Sequence, residues 1–175
     1  NRVVGRMAKI EQEQQRFSNA LYYFKKLRDI ANNRKEQNTA LIGLMENFYS
    51  HTQFDSSSYY AQHILELNNA NMYDQNKAAL YVGKNAMAIG NFSKAQDAFL
   101  QTINAAKDVN GAEAQYLIGE ILYLQDEYQH SIEALIEVDN SFHSYTEWVG
   151  KAFLLMVDNY IAMKEYRQAK GTLNS

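Results

Sequence analysis

The sequence repeats itself with a period of 36 to 38 residues. Five aromatic residues mark the repeat, at Phe17, Phe54, Phe92, Tyr128 and Tyr166. Three positions after each mark comes a small residue, at Ala20, Ser57, Ala95, Ser131 and Ala169. This periodicity constrains the fold more than any other feature, because a chain built of similar segments must stack similar units.

Each repeat has the apolar pattern of two helices. Before each mark, apolar residues recur every three or four positions, as Ile118 and Leu122 do before Tyr128, and the pattern resumes after it at Leu135 and Val138. Such spacing is typical of one face of an α-helix. Each repeat therefore predicts a helix A, a tight turn and a helix B, which gives about ten helices and no sheet.

Local signals predict where helices end and begin. Gly90 and Asn91 lie between helices A and B of the third repeat, where a left-handed helix end is favoured. Ser144-x-x-Glu147 matches a capping box at the last helix A, and Asn110-x-x-Glu113 resembles one in the repeat before. The Asn-rich stretch 68–71 separates two repeats. The predicted repeats span approximately residues 1–35, 36–71, 72–109, 110–142 and 143–175.

These residues resemble the tetratricopeptide repeat family. The best-matching stretch is 112–140, where the family pattern is met at Ile118, Gly119, Leu122, Tyr128, Ser131 and Leu135. The resemblance implies an all-α fold, a right-handed α-solenoid of helix-turn-helix repeats that forms a single domain over residues 1–175. The chain departs from the family pattern in its longer period, in lacking the family Trp, and at Glu11, which occupies an apolar position.

The same resemblance implies that the A helices line a concave surface that binds a peptide or a partner helix. Its expected binding residues in repeats three to five are Lys77, Leu80, Lys84, Met87, Glu113, Tyr116, Glu120, Tyr123, Lys151, Leu154, Asp158 and Ile161. Tyr116 and Tyr123 have two interpretations, as binding anchors or as side chains packed between neighbouring A helices. One family subtype holds a partner's terminal carboxylate with cations, and acids at Glu46, Glu120 and Asp158 disfavour that mode.

Composition excludes several other function classes. A formal charge of −3 and a pI near 5.8 argue against sequence-independent nucleic-acid binding. The chain has no cysteine, and its four histidines fall in no metal-binding motif, so we expect neither a metal nor another cofactor. No nucleophile elbow or phosphate-binding loop is present, and we expect no enzymatic activity. The longest apolar run, Ala152–Val157, is too short to insert directly into a membrane.

The sequence therefore predicts a non-enzymatic scaffold that binds a protein or peptide. Two alternatives remain: a structural segment of a longer repeat array, in contact with other repeats of the same chain, or a regulatory part of an enzyme whose catalytic domain lies elsewhere. The chain starts at Asn1 without Met, and we expect it to be a piece of a longer protein. Residues 144–175 also resemble the long arrays of bacterial cell-envelope proteins, which favours an envelope or periplasmic location.

Overall fold

Helices joined by short turns and loops make up the part of the chain that the computed structural model describes, which is residues 1–67 and 70–174. This part contains ten α-helices and no strand. The A helices are α1 (Arg2–Glu13), α3 (Arg34–Ser50), α5 (Met72–Ala88), α7 (Val109–Leu124) and α9 (Thr146–Ala162). The B helices are α2 (Phe17–Ile30), α4 (Phe54–Glu66), α6 (Phe92–Ala105), α8 (Tyr128–Phe142) and α10 (Tyr166–Leu173). The predicted helix types and order are confirmed.

The helices fall into two compact units, residues Asn1–Asn91 with α1 to α5 and residues Phe92–Ser175 with α6 to α10. In the first unit, α3 contacts both of the other A helices, α1 and α5. In the second unit, α7 and α9 are likewise in contact. Consecutive helices also pack against each other within each unit, so every A helix there has helical neighbours of both types.

The five turns between helices A and B share one backbone conformation. Each contains a residue with positive φ two positions before the aromatic mark, at Gln15 (56°), Thr52 (58°), Gly90 (78°), Asp126 (61°) and Lys164 (63°). The next N–H then donates to a carbonyl five residues back, as in Asn91 N to Ala86 O at 2.9 Å. These are the bonds of a Schellman helix end, and they satisfy carbonyls that the finished helix leaves free. The left-handed turn predicted at Gly90 is confirmed.

The small residue after each mark lies where helices cross closely. Ala20, Ser57, Ala95 and Ser131 have no exposed surface, and Ala169 has almost none. Opposite Ser131, a Cβ added to Gly119 would lie 2.6 Å from Leu135, and the Ser131 hydroxyl donates to the Gly119 carbonyl at 2.8 Å. The backbones of α7 and α8 therefore approach too closely for larger side chains at either place.

Buried serine–asparagine pairs join successive repeats. The Asn85 amide of α5 donates to Ser57 Oγ of α4 at 3.0 Å, and the Asn159 amide of α9 donates to Ser131 Oγ of α8 at the same distance. Asn47 has the same position in α3, but the preceding repeat carries Ala20, and Asn47 donates to the Gly43 carbonyl instead. A buried hydroxyl thus coincides with an amide that pairs with it, as a buried polar group requires.

Three helices begin with a side-chain cap at a residue that was not predicted to be a cap. Asn33, Asn71 and Asp108 accept a hydrogen bond from the backbone three residues later, at the starts of α3, α5 and α7. The predicted box at Asn110 is wrong, because Asp108 caps α7 two residues earlier and Asn110 donates to Asp108. Two residues of the Asn-rich stretch, at 68 and 69, lie outside the described residues.

The box predicted at Ser144 and Glu147 is also wrong. Helix α9 begins after Tyr145, which makes no side-chain cap. The Tyr145 hydroxyl instead donates to the Lys107 carbonyl at 3.2 Å, and Glu147 accepts from Lys151 at 2.7 Å. A tertiary contact is therefore present at this helix start, where the sequence predicted a local capping box.

Glu11 fits its apolar position by joining a polar network. Its carboxylate accepts two hydrogen bonds from Arg16, at 2.6 and 2.8 Å, and a third from Asn19 at 2.9 Å. These bonds lower the pKa of Glu11, with Arg16 the largest cause. The network connects the end of α1 to the start of α2, where the other repeats use apolar packing.

Candidate functional site

In the second unit, α7 and α9 lie side by side and present one face with most of the predicted binding residues. We call this the α7–α9 face. It consists of Tyr116, Glu120 and Tyr123 on α7 and Trp148, Lys151, Leu154, Asp158 and Ile161 on α9. Spacings of three and four residues along each helix bring these side chains to the same side. The face therefore combines aromatic, aliphatic and charged groups.

Tyr116 and Trp148 pack across the two helices. Their ring centroids are 5.5 Å apart, with the rings inclined at 42°. The Lys151 ammonium lies 4.0 Å from the centroid of the Trp148 ring and also bonds to Glu147 at 2.7 Å. This stack of tyrosine, tryptophan and cation is a geometry in which cation–π attraction is favourable.

Burial on this face disfavours negative charge. The pKa of Tyr116 is raised to about 12 by burial first, and then by the nearby charges of Glu120 and Asp158. Burial also raises the pKa of Glu120, although the positive charge of Lys151 opposes that rise. Glu120 is therefore a partly desolvated acid for which a cationic partner group would be favourable.

Both α7 tyrosines contribute to packing. Tyr116 and Tyr123 are partly buried against the apolar core that Leu135, Val138 and Met156 help to form. Tyr123 also contacts Tyr128, with ring centroids 5.8 Å apart. The packing interpretation of these tyrosines thus holds for one side of each ring, while the remaining surface faces solvent.

Leu154 and Ile161 are the most exposed apolar groups of the α7–α9 face, with 61% and 49% of their surface accessible. They have the same repeat positions as Tyr116 and Tyr123 on α7. The exposed carboxylate of Asp158 lies on α9 between them. Water contact of two exposed aliphatic side chains is unfavourable and would be relieved by a partner.

The predicted residues of the first unit are already engaged with neighbouring helices. Lys77 pairs with Glu46, which also accepts from Gln12 at 3.0 Å. These three groups link α5, α3 and α1 across the A helices.

Lys84 lies between two tyrosine rings, 4.9 Å from the centroid of Tyr49 and 4.7 Å from that of Tyr81. Leu80 is only 1% exposed, so it does not offer its side chain to a ligand, and Met87 is partly buried. Of the predicted set, Lys77, Lys84 and Leu80 therefore have packing or pairing roles in this structure.

Trp148, which packs against Tyr116 on the α7–α9 face, was not among the residues predicted from the sequence. Trp148 is the chain's single tryptophan and precedes Lys151 by three residues, so it shares a helix face with a predicted binding residue. This spacing from Lys151 was the sequence signal that could have identified Trp148. The remaining predicted residue, Glu113, lies one turn before Tyr116 and is partly buried.

The described residues offer neither a metal-binding cluster nor a membrane-spanning helix. Within residues 1–67 and 70–174, no group of three or more His, Cys, Asp or Glu side chains is arranged to hold a metal ion. In the same part of the chain, every helix is too short or too polar to cross a lipid bilayer.

Comparison with known proteins identifies the fold. No protein-family model and no curated protein matches the chain. The crystal structure of the apo form of RapI is similar, with a TM-score of 0.81 and 14% identity over 98% of this chain and 67% of RapI. The crystal structure of MamA has a TM-score of 0.67 and 16% identity over 98% of this chain and 87% of MamA.

The fold is of the tetratricopeptide type. Both similar structures are helical repeat proteins of this type, and the resemblance inferred from the sequence is confirmed at the level of the fold. At these identities the likeness concerns the arrangement of helices. The function is therefore inferred from the residues of this chain and not from its fold alone.

Proposed function

We propose that the chain is a non-enzymatic scaffold that binds a partner protein or peptide on the surface of its A helices, at the α7–α9 face of repeats four and five. Proteins of the tetratricopeptide type mediate protein–protein contacts, and this fold is the general support for the proposal. The observation that carries it is the exposed pair Leu154 and Ile161 beside the aromatic rings of the α7–α9 face. Exposed apolar and aromatic groups edged by charge are typical of contact surfaces.

The test is affinity capture with the whole chain, followed by mass spectrometry of the retained proteins. A partner found with the natural sequence is then tested against the double variant Leu154→Ser/Ile161→Ser. We expect capture to fall at least fivefold, because both apolar contacts with the partner are lost. Since both side chains are exposed, the melting temperature should change little.

The matched control is Leu100→Ser/Ile136→Ser, on B helices of the same unit. These residues are 51% and 44% exposed, so the control removes a similar exposed apolar area from another face. Full capture by the control and loss by the α9 variant would support the proposal. If both variants capture the partner as well as the natural chain does, the partner does not use the α7–α9 face.

A second function, as a structural segment of a longer repeat array, is favoured by one observation. Leu154 and Ile161 occupy the repeat positions at which Tyr116 and Tyr123 pack toward the following A helix. A further repeat stacked on α9 would bury them in the same way. A longer chain in which both residues become protected from solvent, measured by labelling of Cys variants, would favour this function.

A further inference from the structure

A basic cleft lies between α1 and α3 in the first unit, outside the α7–α9 face. It has a volume of about 520 Å³. Its lining includes four cations and two smaller residues. These are Arg2, Arg6, Lys9 and Lys35, with Gly5 and Thr39. Arg2, Arg6 and Lys9 follow one another at intervals of four and three residues, so a single face of α1 turns all three toward the cleft. Lys35 joins them from the first turn of α3.

The four cations of this cleft are available to a ligand. All four side chains are exposed, and none makes a hydrogen bond or ion pair with another described residue. The lining contains a single acid, Glu36, which already accepts from Asn1 Nδ2 at 2.8 Å. Four cations against one engaged carboxylate give a strongly positive site in a chain whose formal charge is −3. Such a local reversal of sign attracts anionic groups.

Gly5 provides the space for a ligand. At the same repeat position the other A helices carry Ile42, Leu80, Tyr116 and Leu154. A Cβ added to Gly5 would lie 3.4 Å from Leu27 Cδ2, an ordinary contact, so packing does not require glycine here. Glycine inside a helix is less favourable than alanine, so helix stability does not explain its presence here. The missing side chain leaves open space above Gly5, and Leu27 closes the floor of the cleft with only 1% of its own surface exposed.

The lining chemistry favours an acidic peptide. Two guanidinium groups and two ammonium groups match carboxylates, which arginine binds through paired hydrogen bonds. A cleft of about 520 Å³ with four cations spread over two helices suits an extended chain with several carboxylates better than a bare ion. A nucleic acid would need a basic track along its backbone, whereas beyond Lys9 the A helices continue with the mutually paired Gln12, Glu46 and Lys77.

We propose that this cleft binds an acidic peptide segment, whose carboxylate side chains contact Arg2, Arg6, Lys9 and Lys35 while its backbone passes over Gly5. The proposal rests on the protein-binding function proposed above and names a partner class for a second site. Its residues differ from those of the α7–α9 face, so the two sites are tested separately.

The experiment measures binding of a labelled decaglutamate peptide to the whole chain by fluorescence anisotropy at two salt concentrations. Both peptide ends are blocked, so only side-chain carboxylates carry charge. We expect saturable binding that weakens with salt. Arg6→Glu/Lys9→Glu should weaken it at least tenfold. Gly5→Leu, which fills the floor without changing charge, should weaken it at least threefold.

The control is Lys25→Glu/Arg167→Glu, two exposed cations that do not line the cleft and whose reversal changes the net charge equally. It should alter affinity less than twofold. Equal weakening by the control and the cleft variant would overturn the proposal, since attraction would then be non-specific. Tighter binding of a ten-residue oligothymidylate than of the peptide would overturn the choice of ligand class.

Absence of binding to the natural chain would also overturn the cleft proposal, and it would leave the capture experiment on Leu154 and Ile161 unaffected. Circular dichroism of each variant confirms that it is folded. If Gly5→Leu were to unfold the chain, the charge-reversal pair and its control still decide the outcome.

Discussion

At the scale of single residues, backbone conformation and burial determine how a position affects stability more than its residue type does. Five turns adopt the same left-handed conformation, yet only Gly90 is a glycine. The other four are Gln15, Thr52, Asp126 and Lys164, all of which are exposed. A side chain in this conformation is strained, and the strain is greatest for the β-branched Thr52.

We expect Thr52→Gly to stabilise the chain by about 0.5–1 kcal/mol, since relief of strain outweighs the entropy that glycine adds to the unfolded state. Gly90→Ala is the reverse change in an equivalent turn and should destabilise by about 1 kcal/mol. No other atom lies within 4 Å of a Cβ at Gly90, so this cost is conformational. Urea unfolding midpoints measure both effects. Midpoints that shift in the same direction would contradict the argument.

Titration of Tyr116 should make stability depend on pH in the alkaline range. Its pKa is about 12 in the folded chain against an ordinary value of 10, because burial opposes the charged phenolate. The stabilisation is present below pH 10 and is lost as the pH rises toward 12, since the unfolded state releases its proton first. A difference of two pKa units corresponds to about 2.7 kcal/mol, an upper limit for a ring partly in contact with water.

Comparison with Tyr116→Phe isolates this contribution from the other tyrosines. Between pH 9 and pH 11 the unfolding free energy of the natural chain should fall more steeply than that of the variant. Parallel curves would show that Tyr116 titrates normally. The phenylalanine keeps the contact with Trp148, so packing is held nearly constant.

At the scale of helices, the repeat register determines which positions accept a larger side chain. Ala95 is fully buried at the close-crossing position of α6, whereas Ala105 is exposed at the end of the same helix. We expect Ala95→Leu to destabilise by about 1–3 kcal/mol through overpacking. Ala105→Leu should change stability by less than about 0.5 kcal/mol. Chemical denaturation that gives equal midpoints for the two variants would mean that the register is misplaced.

Helix existence and order followed from the sequence, but helix starts and side-chain environments did so only in part. Periodicity places the five marks at the first residues of the five B helices, because apolar spacing directly reflects which face is buried. The start of α9 depends on Tyr145 reaching Lys107, a contact 38 residues away that local pattern does not encode. Register also places Leu80 and Leu154 alike, although Leu80 is buried and Leu154 exposed. Burial of this repeat position depends on which helix packs against it.

At the scale of the whole molecule, two compact units raise the question of cooperativity. The sequence analysis predicts one domain over residues 1–175, and we propose that both units unfold in a single transition. Trp148 is the chain's single tryptophan and lies in the second unit, so its fluorescence reports on that unit alone. Far-UV circular dichroism reports on the helices of both units and should show more than half helix.

Coincident urea transitions by the two probes are the expected result, as for a two-state domain. A tryptophan transition displaced from the circular dichroism transition would show that the units unfold independently. A helix content below about half would contradict the fold itself, since an average globular protein has roughly one third.

The serine–asparagine pairs have a consequence for how a gene encoding such an array can change length. Loss of the second repeat would bring Ala20 opposite Asn85, a combination equivalent to the existing Ala20 and Asn47. Loss of the third would bring Ser57 opposite Ile121 and leave a buried hydroxyl without its amide, at a cost of about 1–3 kcal/mol. Deletions of nearly equal length are therefore unequal in effect. Inheritance of a shortened chain would be tolerated at one junction and selected against at the next.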